Sequence, residues 1–203
     1  MENFTDNQLY FINGIFRIHS IADTLFNLYE KNITKTTTGT TYTLEAFDLY
    51  DDFCCRLFDI IEVIQEKFSN FNFSKELLQY TSKIYKVEDE ITKKYLNIPN
   101  DECKLYDLLK EYRNFYIHPN FKEDEYRFNR VAFFKIYISE ETIYELWEKT
   151  QTVVEYLRKN TDEEKLIKKS FNTDKAQIIK IKIVSEKIKA ITENLSNKKN
   201  GIS

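Results

Sequence analysis

The 203-residue chain carries 30 Lys and Arg against 33 Asp and Glu, a formal net charge of −3, with 42% hydrophobic and 31% charged residues. That length and balance support one substantial core, while three Gly and two Pro leave too little turn material for an all-β fold. The expected fold is all-α, a single helical bundle of about five to seven helices, with a basic helical extension at about 162–203. No apolar run approaches the roughly 20 residues of a membrane span. The start, Met1-Glu2-Asn3-Phe4-Thr5-Asp6, lacks the basic and apolar regions of a secretory signal. Cys54, Cys55 and Cys103 show no metal or redox spacing, and adjacent cysteines rarely bridge each other. A soluble, reduced, cytoplasmic protein with no membrane partner is expected.

In chain order, Ile15, Ile18, Ala22, Leu25 and Tyr29 recur at intervals of three and four, which predicts a first helix from about Leu9 to near Asn32. His19 on that helix reads as a core or boundary histidine. The stretch Ile33 to Thr41, rich in β-branched polar residues around Gly39, predicts a mobile loop, with a short β-hairpin as the lesser alternative. Phe47, Tyr50, Cys54, Leu57, Ile61, Ile64 and Phe68 form an unbroken stripe, the clearest helix of the chain. Ser74 is the expected cap of a third helix carrying Leu77, Tyr80, Ile84, Val87, Ile91 and Tyr95.

Asp101 is the expected cap of a fourth helix with Leu105, Leu108, Leu109, Tyr112, Phe115 and Tyr116 inward, stopped by Pro119. Residues 121–138 show no clear period and are expected to be irregular. Ser139 caps a fifth helix through about Lys159, with Ile143, Trp147, Val153, Val154 and Leu157 inward. Thr161 or Asp162 then starts a short helix to about Phe171, and Thr173 a last one with Ile181, Val184, Ile188, Ile191 and Leu195.

Charge is unevenly spread: residues 1–163 hold 20 Lys and Arg against 29 Asp and Glu, and residues 164–203 hold 10 against 4. Lys168, Lys169, Lys175, Lys180 and Lys182 of this basic tail are candidate contacts to a nucleic-acid backbone. A solvated helix face explains the same pattern. The acidic runs Glu88-Asp89-Glu90 and Glu123-Asp124-Glu125 lack any supporting His or Cys cluster, so no metal or other cofactor is implied.

The remaining signal is Arg113-Asn114-Phe115-Tyr116-Ile117-His118. An arginine offers a planar positive fork for phosphate, and a histidine exchanges protons near neutral pH. On an ideal helix the two residues lie about 140° apart around the axis and about 7.5 Å along it. One regular helix therefore does not bring both to one phosphate. Either His118 turns back where Pro119 ends the helix, or the Arg and His serving one substrate come from two copies of the chain. A purely structural reading also exists, because both groups suit the negative end of a helix dipole.

The hexapeptide resembles the Arg-x4-6-His motif of the HEPN superfamily, helical-bundle proteins in which a polar residue often follows the Arg, as Asn114 does here. The resemblance covers these six residues on an all-helical background. It implies a metal-independent endoribonuclease acting as a homodimer on RNA, in a toxin or phage-defence setting, with an antitoxin or other protein partner. It implies His118 as general acid or base, Arg113 as stabiliser of phosphate charge, and Asn114 as orienting or substrate-binding residue. Some members paired with a nucleotidyltransferase antitoxin carry a modifiable Tyr two places after the His. Here that position is Asn120, so this mode of control is not expected. A non-catalytic helical module binding a protein partner, nucleotide or nucleic acid is the alternative.

Overall fold

The computed structural model describes residues 4–36, 39–86, 102–117, 138–167 and 189. Its elements are mostly helical: α1 (Asp6–Lys31), β1 (Ile33–Thr36), β2 (Gly39–Tyr42), α2 (Leu44–Phe68), α3 (Asn72–Thr81), β3 (Ile84–Lys86), β4 (Glu102–Lys104), α4 (Leu105–Ile117) and α5 (Glu140–Asn160). Residues 163–167 form a further short helix. The chain divides into two compact units, one of Met1 with Gly14–Asn160 and one of Glu2–Asn13 with Thr161–Ser203.

Within the first unit α2 is the central helix. Its side chains from Ala46 to Phe68 are buried on most of its circumference, including Tyr50, Phe53, Cys54, Leu57, Ile61, Ile64 and Phe68. The helix starts where the Thr43 hydroxyl accepts from Ala46 N–H at 3.0 Å, which satisfies one of the donors that a helix start leaves open. Helix α4 packs on α2, and α3 lies along α5. The inward stripe read for the fifth helix is buried as expected in α5, from Ile143 through Trp147 to Leu157. Ser139 accepts from Thr142 N–H at 3.2 Å at its start.

An aromatic centre joins α1, α2 and α5. Trp147 stacks on His19 at 4.7 Å and meets Phe53 edge-on at 5.2 Å. His19 is 7% exposed, so it is a core residue. Burial lowers its pKa first, Arg158 lowers it further, and Asp23 opposes them. Next to the β1–β2 hairpin, the Tyr29 and Tyr42 hydroxyls both donate to the Glu140 carboxylate. That carboxylate ties the β1–β2 hairpin to α1 and to the first turn of α5.

Four expectations change. The stretch after α1 is an antiparallel hairpin, Ile33 opposite Tyr42 and Thr36 opposite Gly39, because four consecutive backbone pairs satisfy groups that a loop would leave to water. Gly39 has φ +153°, a turn geometry that disfavours side-chain-bearing residues. The third helix does not run on past Ile84. It ends at Thr81, and Ile84–Lys86 pairs with Glu102–Lys104 instead. Ser74 is not its cap but a buried residue of the helix, which Phe71 precedes without a side-chain cap. Likewise, the fourth helix is entered from strand β4 rather than from an Asp101 cap, and Leu105 N–H donates to the Lys83 carbonyl at 2.9 Å. This bond extends the β3–β4 pairing to the first residue of α4 and anchors the helix that carries Arg113.

In the second unit, Thr5 and Gln8 cap the start of α1 reciprocally: Thr5 N–H donates to Gln8 Oε1 at 2.9 Å, and Gln8 N–H to Thr5 Oγ1 at 3.3 Å. Asp162 caps the helix at 163–167, accepting from Glu164 N–H at 3.0 Å. Val87, Ile91, Tyr95, residues 121–137, the remainder of the expected helix to Phe171 and all of the expected last helix but residue 189 lie outside the described residues. No described helix is long and apolar enough to cross a membrane.

Candidate functional site

The C-terminal half of α4 lies against α2 through polar contacts as well as apolar ones. Leu105, Leu108, Leu109 and Tyr112 of α4 are buried, matching the expected inward stripe, while Tyr116 is half-buried and the Phe115 side chain lies outside the described set. The Tyr112 hydroxyl donates to Oδ1 of Asp51, an aspartate with no exposed surface. One turn on, the Tyr116 hydroxyl donates to Asp52 Oδ1 at 3.0 Å. Two rings of the expected core stripe therefore also serve as hydrogen-bond donors to neighbouring carboxylates of α2.

Arg113 follows Tyr112 on α4 and reaches a third aspartate of α2. Its Nε lies 3.8 Å from Asp59 Oδ1, with the two side chains 29% and 22% exposed. The nitrogen is buried and makes no hydrogen bond, so the interaction is an ion pair with one N–H edge turned into the protein. Nη1 donates to Asn114 Oδ1 at 3.4 Å, a long bond that leaves most of the outer guanidinium edge uncommitted. The other oxygen of Asp59, Oδ2, lies 3.3 Å from Arg56 Nη1. One carboxylate thus holds two guanidinium groups from two helices.

The electrostatics around this group are mainly acidic. Burial pushes the Asp59 carboxyl above its usual range, and the two arginines only partly pull it back. Burial also raises the neighbouring Cys55 thiol to about 12; Asp51, Asp59 and Asp52 add to the rise and Arg113 opposes it. At that value the thiol stays protonated at neutral pH and is a poor nucleophile. Cys54, Cys55 and Cys103 are all free.

Of the residues singled out in sequence, Arg113 and Asn114 are adjacent on α4 and in contact. His118 lies outside the described residues, as do Asn120, Lys168, Lys169, Lys175, Lys180, Lys182 and both acidic runs. Among the described residues, no group of three His, Cys, Asp or Glu is arranged to hold a metal ion.

Sequence reasoning missed Asp51, Asp59 and Arg56. A local signal did exist for the last: Asp48, Asp52, Arg56 and Asp59 fall at intervals of four, four and three on one side of α2, and Arg56 interrupts an otherwise acidic row. Nothing local links that row to Arg113. No protein-family model, curated protein or solved structure matches the chain.

Proposed function

We propose that the chain is a metal-independent endoribonuclease of HEPN type, working as a homodimer in which Arg113 and His118 of two copies share a cleft. The observation that carries this reading is the setting of Arg113: near the end of α4, its Nε paired with the Asp59 carboxylate at 3.8 Å and its side chain 29% exposed. A guanidinium kept beside the seam by such a pair, with further N–H donors to spare, is suited to a phosphate oxygen. His118 follows within two turns of chain. As general base it takes the proton of an RNA 2′-hydroxyl, whose oxygen then attacks the adjacent phosphorus. A second histidine, from the partner copy, protonates the departing 5′-oxygen. The products are a 2′,3′-cyclic phosphate and a 5′-hydroxyl, and Arg113 stabilises the charge that builds on the phosphoryl oxygens.

In this reading the lysines of the tail, Lys168, Lys169, Lys175, Lys180 and Lys182, attract the strand to an otherwise acidic body. A toxin or phage-defence role, restrained by a protein partner, fits such an activity. The three free cysteines fit a reducing cytoplasm. The test is cleavage of RNA by purified protein in EDTA. His118→Ala should abolish cutting while the helical signal and the dimer persist. Equal cutting by the wild-type and variant proteins rejects the proposal.

One observation favours a second reading, a non-catalytic module that binds nucleic acid or a protein partner. Arg113 lies beside three aspartates of α2, Asp51, Asp52 and Asp59, whose field disfavours an approaching phosphate. RNA binding that survives Arg113→Ala but disappears on deletion of residues 164–203 would select this module over the enzyme.

A further inference from the structure

We infer that Arg56 is a second phosphate-binding residue of the same site, taking the phosphate next along the strand from the one held by Arg113, and that Asp59 is the positioning residue that spaces the two. The inference rests on the ribonuclease reading for its substrate, a single-stranded RNA, but on geometry for its residues. Arg56 and Arg113 come from different helices and converge on opposite oxygens of one carboxylate, at 3.3 and 3.8 Å. Asp59 is 22% exposed whereas Arg56 is 48% exposed, so the carboxylate forms the floor of the group and the Arg56 fork reaches water. Two guanidiniums on one carboxylate leave one net positive charge in an acidic row.

An ordinary surface pair would explain Arg56 and Asp59 alone, since they are three residues apart on one helix and such pairs contribute little. It does not explain why the same carboxylate also meets Arg113, the half-buried arginine of the candidate site. Substrate phosphates would find both forks oriented before binding, with donors still unused on each. Asp59 itself touches no substrate. Its part is to hold the arginines at a fixed separation, because without it two like charges would move apart.

The test uses the full-length protein and a short RNA with 2′-O-methyl riboses, which can bind but lacks the attacking hydroxyl. Affinity is measured by fluorescence anisotropy over a range of salt concentrations. Arg56→Ala should weaken binding by about tenfold and reduce the salt slope by about 0.7, the value of one single-strand phosphate contact. Arg56→Lys should restore the slope, and the Arg56→Ala/Arg113→Ala pair should lose about 1.4. With cleavable RNA the Arg56→Ala defect should fall on KM rather than on kcat.

Asp59→Asn separates positioning from simple charge. Removing a negative charge tightens RNA binding if the carboxylate merely repels the strand, and weakens it if the carboxylate orients the arginines. Unchanged affinity and slope in Arg56→Ala, tighter binding by Asp59→Asn, or a wild-type protein that does not bind the methylated strand would each overturn the inference. Binding with the expected slopes in a protein that cuts no RNA would instead reject catalysis and leave the two-arginine site standing.

Discussion

Two carboxylate clusters of the same unit put similar chemistry to different ends. At the hairpin end, Glu140 accepts from the Tyr29 and Tyr42 hydroxyls, and the surrounding contacts are aromatic: Tyr29 lies 5.0 Å from Tyr50, and Tyr42 lies 5.6 Å from Phe47. At the α2–α4 seam, Asp51 and Asp52 also accept from phenols, but Asp59 meets two arginines, one of them half exposed. Phenol donors around a carboxylate join elements and leave nothing for a ligand. Guanidinium groups around a carboxylate keep donors to spare, and it is this surplus that marks the seam as the candidate site.

The contrast breaks most visibly at Arg113. Arg113→Ala should lower RNA cleavage by about 100- to 1,000-fold, the scale of losing one preorganised charge donor, while circular dichroism and the unfolding midpoint stay close to those of wild type. Trp147→Ala, in the aromatic centre, should do the reverse. Truncating a 3%-exposed indole costs about 3–5 kcal/mol, read in urea denaturation, with any loss of cleavage tracking the unfolded fraction.

Glu140→Ala should have a smaller effect of the same kind. It removes the carboxylate that accepts from the Tyr29 and Tyr42 hydroxyls, at a cost of about 1–3 kcal/mol, and should leave the salt slope of RNA binding unchanged. A changed slope would mean that the hairpin end also contacts the strand.

The smallest effect is on pH dependence. Burial holds the His19 imidazole below its ordinary pKa of about 6.5. The unfolded chain therefore takes up the proton first, and stability present above about pH 6.5 declines as the pH falls through that value. His19→Phe should flatten this part of the stability profile in urea titrations between pH 5 and 8. Asp59 has the opposite sign, because its raised folded pKa makes the native state the better proton acceptor just above the ordinary carboxylate range. That term alone favours folding on acidification there, and Asp59→Asn should remove it.

The helices were legible where one side of a segment is apolar at intervals of three and four. The stripe from Tyr50 to Phe68 in α2 and that from Ile143 to Leu157 in α5 are buried as read. The same rule overran at Ile84, whose spacing from Leu77 and Tyr80 continues a helix on paper. Its backbone instead pairs with Lys104, a partner too distant in sequence for any local period to register. The Thr5–Gln8 cap shows the opposite case, a start signal written locally and missed because the apolar pattern begins later.

The site divides along the same line. The order Arg113, Asn114, His118, Pro119 and the restriction that a proline puts on the residue before it are properties of the sequence alone, because they need no partner. So are the helical class and the uneven charge of body and tail. Which carboxylate meets Arg113 was decided only when α4 packed on α2 and brought Asp59 within 3.8 Å. The same packing turned Tyr112 into a donor to a buried aspartate and made Arg56 part of the group. Such contacts depend on the placement of two helices in space, and ion-pair energies change with every ångström of it.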